Sequence, residues 1–130
     1  MATVKDKKGE EDEEYEDHLL DERFLDYPTL ALEQSGKTID QMLCAAFKNL
    51  RKSTDLFAAF DQVKYDKIMA REDKVDRFED KLGAYLVRLY GQELSEKESQ
   101  SVARYLNCLS NVERVSDHAV NLAELAKELA

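Results

Sequence analysis

The chain has 130 residues, 43% hydrophobic and 36% charged, with a formal net charge of −9. That length fits one domain with a modest core, and the negative field excludes nucleic acid as a partner while attracting cations and basic protein surfaces. One proline, four glycines and no tryptophan suit long solvated helices better than a sheet protein.

Residues 1–17 open with lysines and continue as a block of Glu and Asp. Such a run cannot bury enough apolar surface to offset its ordering entropy. Residues 1–27 are therefore expected to be an acidic flexible linker or tail, with residues 28–130 forming the domain. The start of the chain lacks the apolar core of a signal peptide. No stretch approaches the roughly 18 apolar residues of a membrane span. The fragment is expected to be soluble and cytoplasmic, with no direct membrane insertion. Leu19, Leu20, Phe24, Leu25 and Tyr27 form a short apolar stretch expected to pack on the domain edge before Pro28.

Pro28 suits the first turn of a helix, and a first helix is expected from there to about residue 59. Its apolar seam reads Leu32, Ile39, Leu43, Ala46, Leu50 and Phe57, the three-then-four spacing of a bundle helix. Asp61 is a plausible cap for a second helix ending near Tyr90, with a seam of Ile68, Val75, Phe78, Leu82, Tyr85, Leu86 and Leu89. Gly91 is expected to stop it as the residue just past the end. Ser95 and Glu98 have the spacing of a capping box. A third helix follows to about Leu129, with Val102, Tyr105, Leu106, Leu109, Val112, Ala119, Val120, Ala123 and Ala126 inward. Short links make neighbours antiparallel, so the fold class is all-α, an antiparallel three-helix bundle with long helices. Cys44 and Cys108 lie among apolar residues, outside any metal spacing, and are expected to be buried free thiols.

The carboxylates carry the chemistry. At about 100° per residue, Glu72, Asp76 and Glu79 share one face of the second helix, bordering the seam. Glu113 and Asp117 do the same on the third. None of the three acids of the second helix has a Lys or Arg at i±3 or i±4; Asp117 has only Arg114, at i−3. Like charges at i,i+4 cost roughly 0.2–0.5 kcal/mol even when exposed, and desolvation beside a core adds to that. A bound divalent or trivalent cation would offset the cost. Oxygen-only ligands point to iron, manganese or magnesium rather than a thiolate-loving metal. His118 sits about 100° around the helix from Asp117, and is read as a surface or interhelical hydrogen-bonding residue; His18 lies in the tail. The alternative is a solvated acidic face, which is common in so acidic a chain. A di-iron oxidase needs Glu-x-x-His, whereas the residue three after Glu113 is Ser116. With no nucleophile–base pair and no glycine loop for nucleotide, a binding or regulatory domain is expected rather than an enzyme.

At these acids the chain resembles a PhoU-type domain, in which each three-helix repeat carries a Glu/Asp-x-x-x-Asp motif on two helices. Asn111-Val-Glu-Arg-Val-Ser-Asp-His-Ala-Val-Asn-Leu-Ala-Glu124 is similar to the family's third-helix string, with Ser116 where glycine is usual and no acid between Asn111 and Val112. Glu72-Asp-Lys-Val-Asp-Arg-Phe-Glu79 looks like the other motif. Leu20-Asp-Glu-Arg-Phe-Leu-Asp-Tyr-Pro-Thr-Leu-Ala-Leu-Glu-Gln34 resembles the stretch joining the last transmembrane helix of bacterial sodium/phosphate cotransporter-related proteins to their PhoU-like tail. The resemblance implies metal ligation by Glu72, Asp76, Glu79, Glu113 and Asp117. It implies a cytoplasmic regulatory role in a sodium-dependent phosphate transporter, whose transmembrane domain would be a partner within the same parent chain. A freestanding regulator of phosphate uptake and a metal-free interaction module are the alternatives. The family's two-repeat members further imply a homodimer or a second repeat as partner.

Overall fold

Pro28 fixes the backbone angle of the first helical residue, and α1 runs Pro28–Ala58. A three-residue link then places Asp61, whose carboxylate accepts from the amides of Val63 (2.8 Å) and Lys64 (3.3 Å), as the cap of α2, Gln62–Tyr90. Five residues later Ser95 accepts from the amide of Glu98 while Glu98 accepts from that of Ser95, the expected capping box, and α3 runs Glu96–Leu129. A 3-10 turn, Glu22–Asp26, precedes them. This computed structural model describes residues 20–130; the expected tail of residues 1–17, with His18 and Leu19, lies outside the described residues. Links this short force neighbours antiparallel, and the three helices form the expected bundle.

The core has two parts. The larger joins Leu32, Ile39 and Met42 of α1 to Val75, Phe78, Leu82, Leu86 and Leu89 of α2 and to Val102, Leu109 and Val112 of α3. Burying each such aliphatic side chain stabilises by roughly 1.5–3 kcal/mol. The smaller, at the α1–α2 turn, joins Leu56, Ile68, Ala123 and Ala126. All seven expected seam residues of α2 are buried. The apolar stretch before α1 also packs inward: Leu25 is buried, Leu20 and Phe24 lean on the core, and Tyr85 donates its hydroxyl to the carbonyl of Asp21 at 3.1 Å.

Several expectations are corrected. Phe57 is 44% exposed while Leu56 is 2% exposed, and Leu43 and Leu50 are only partly buried. Counting from Ala46 at the helical period brings 49, 53 and 56 inward, so α1 buries Asn49 and Ser53 where larger apolar neighbours were expected. Asn49 donates to the carbonyl of Ile68 (3.1 Å) and accepts from Arg71 (2.7 Å), tying α1 to α2. On α3, Tyr105, Leu106 and Val120 sit at the core's edge and Ser116 is inside. Gly91 is right-handed, with φ −74°, so the helix closes with a tight bond from its amide to the Arg88 carbonyl rather than a left-handed cap. Both cysteines are free, but Cys44 is exposed and Cys108 half-buried, because Cys44 lies some 200° round α1 from Met42 and Ala46.

Candidate metal centre

The middle of α2 buries Val75, Phe78 and Leu82, and the acids interleaved with them fall at the core's margin. Glu72 and Glu79 are half-buried; Asp76, between them, is exposed. Across the helix pair α3 runs the other way and presents Glu113 and Asp117, both exposed, beside the buried Val112 and Ser116. The antiparallel register sets Glu113 against Glu79 and brings the charge of Asp117 to bear on Glu72.

The acids meet in pairs. Glu79 lies within hydrogen-bonding reach of Glu113 across the interface, and Glu72 of Asp76 along α2. A hydrogen bond between two carboxyl groups requires a proton on one of them. Glu72 is pushed up to about 7 by burial first, then by the charge of Asp76 and their shared hydrogen bond, with Asp73 and Asp117 adding to it. Glu79 is likewise pushed up to about 7 by burial, by the charge and hydrogen bond of Glu113, and by Asp76 and Asp80. Asp76 acts on both glutamates, so all five acids expected from the sequence belong to one chain of interactions.

Arg71, adjacent to Glu72, points its guanidinium at Asn49, and burial lowers its pKa. Among the described residues the ion pairs join Arg23 to Asp21, Lys37 to Glu33 and Arg88 to Glu22, and none reaches the five acids. His118 is exposed. Asp73 and Asp80, which the sequence reading left out of the site, each follow one of the glutamates and raise its pKa.

The donor set is entirely carboxylate oxygen, which suits a hard cation. As the side chains stand, no three Asp, Glu, His or Cys among the described residues converge closely enough to hold a metal ion. A proton shared within each pair would relieve the like charge without a cation. The donor chemistry thus fits a cation that displaces those protons and draws the pairs together.

The profile of the PhoU domain matches residues 39–126, a span that contains all of α2 and all five acids. Residues 20–34 precede that match. Neither the curated proteins nor the solved structures include a significant match to the chain.

Proposed function

The chain belongs to the PhoU domain family, and from that membership we propose that it is the metal-responsive regulatory domain of a sodium-dependent phosphate transporter. A PhoU domain is a helical regulator of phosphate transport, not an enzyme. The observation that carries the metal part of the reading is the meeting of Glu79 with Glu113 and of Glu72 with Asp76 at the core margin, where burial and like charge raise both glutamates. Glu72, Asp76, Glu79, Glu113 and Asp117 would hold a divalent or trivalent ion of the iron, manganese or magnesium type. The ion would supply positive charge that lets Glu72 and Glu79 ionise at neutral pH and draws α2 and α3 together. Occupancy then changes the helix pair that a partner reads. The partners of this reading are the transmembrane domain of the same parent chain and a second three-helix unit. The latter is favoured by Phe57, Val63, Leu125 and Leu129, all exposed at the end where α1 turns into α2 and α3 finishes.

Calorimetric titration of the protein with Mn²⁺ at pH 7.5 tests the metal part. Binding by the wild type, lost in Glu79→Gln with Asp117→Asn, is the expected result. No heat with the wild type, or the same affinity in the double variant, defeats it. That no three acids converge among the described residues supports a second reading, a metal-free interaction bundle. On that reading a chelator leaves the melting temperature of the freshly purified protein unchanged. The transporter part is decided by whether transmembrane segments precede this chain in its reading frame.

A further inference from the structure

The outward side of α1 carries a charge pattern that is complementary to its own reverse. Lys37, Asp40, Cys44, Phe47, Arg51 and Asp55 recur at three- and four-residue steps, so they form one stripe of the helix. All six are exposed. The stripe lies opposite Met42, Ala46, Asn49 and Ser53, which α1 buries, so neither α2 nor α3 stands over it. Read from its start, the stripe runs positive, negative, apolar, apolar, positive, negative, with Cys44 counted as a small hydrophobe. Laid antiparallel against a copy of itself, it brings every charge to its opposite.

We infer that this chain pairs with a second copy of itself along α1, about a two-fold axis that passes between Cys44 and Phe47. In that register Cys44 lies opposite the partner's Phe47. Asp40 then meets the partner's Arg51, because each lies four residues outside the central pair. Lys37 comes beside the partner's Asp55 one turn further out. A two-fold axis repeats both contacts, so opposite charges flank the apolar centre on each side. From Lys37 to Asp55 the stripe is about 27 Å long at 1.5 Å per residue. Its three-and-four spacing keeps two helices in touch along such a length.

The charges are available for this pairing. Asp40, Arg51 and Asp55 join no ion pair among the described residues. Lys37 meets Glu33 at 3.8 Å with both side chains more than half exposed, a contact weak enough to exchange for Asp55. The chain as a whole has 28 acids against 19 lysines and arginines, so two copies repel over much of their surface. Within α1 the acids are Glu33, Asp40 and Asp55 and the bases Lys37, Lys48, Arg51 and Lys52, so two copies can approach there without that excess.

Exposed ion pairs alone hold little, and the apolar centre supplies the anchor. Phe47 is 54% exposed. A shallow hollow beside it is lined by Leu43, Cys44, Phe47, Lys48 and Arg51. The partner's Phe47, set against Cys44, fills that hollow, and the axis buries both rings together. This pairing rests on the reading above only for its second three-helix unit, and it holds whether or not a metal binds.

Sedimentation equilibrium of the full chain in chelator, from micromolar to millimolar concentration, should show a reversible dimer; metal titration decides the metal reading separately. Phe47→Asp should weaken self-association at least tenfold with an unchanged circular dichroism spectrum. Asp40→Lys and Arg51→Asp each set like charges together twice in a homodimer, and each should weaken it at least threefold. Mixed in equal amounts, the two variants restore every opposite pair in a heterodimer, so the mixture should regain the association that neither has alone. Leu125→Asp with Leu129→Asp, at the apolar end of the bundle, should leave the dimer intact. A monomer at every concentration overturns the inference. So does a dimer indifferent to Phe47→Asp, a dimer lost in the Leu125 and Leu129 variant, or a mixture no stronger than its components.

Discussion

Raising the pH should weaken the metal-free protein through Glu72 and Glu79. Each titrates near 7 in the folded chain against 4.5 ordinarily, burial being the largest cause. Between those values the folded state keeps a proton that the unfolded chain has released. The stabilising effect of the protonated pairs is complete below about 4.5 and is lost as pH rises through 7. Sealed from solvent, such a displacement would cost several kcal/mol per acid. Both side chains keep solvent contact, and screening reduces the loss to roughly 1 kcal/mol each. For a domain of this size that is a fall of about 3–6 °C per acid. Circular dichroism melts in chelator at pH 5 and pH 8 should therefore differ by about 5–10 °C, pH 8 being lower. Glu79→Gln keeps the shape and the hydrogen bond to Glu113 but cannot ionise. It should remove about half of the fall and exceed the wild type in stability at pH 8 but not at pH 5. A melting temperature that is flat or rises from pH 5 to 8, or a Glu79→Gln variant weakened at pH 8, refutes the reasoning.

Ser116 is buried with its hydroxyl unpartnered, so Ser116→Ala should stabilise by about 1 kcal/mol in urea unfolding. Gly83 lies inside α2, and an added Cβ would meet only Leu109 Cδ1 at 3.9 Å. Gly83→Ala should accordingly raise the urea midpoint by the equivalent of about 0.5–1 kcal/mol. Asn49→Ala strips Arg71 of its acceptor in a half-buried setting and should lower stability by about 1–3 kcal/mol, with hydrogen exchange quickening first around Ile68.

Much of the fold is legible in residue order because helices advertise themselves locally. Asp61, the Ser95–Glu98 box and the seven-residue seam of α2 are read from spacing alone, since caps and period are properties of a few neighbouring residues. The seam of α1 was harder. Leu50 and Phe57 look like core, but a helix's rotation is set by what its partners need, and here the partners took Asn49, Ser53 and Leu56. A buried Asn becomes favourable only when a second helix supplies an acceptor and a donor, as Ile68 and Arg71 do.

The sequence by itself determined the helices, their antiparallel order and the five acids at the core margin, because 3.6-residue periodicity and short links leave little choice. Tertiary structure decided which acids meet. Pairing Glu79 with Glu113, and setting Asp117 against Glu72, depends on the register of α2 against α3, which side-chain packing sets and no local pattern encodes.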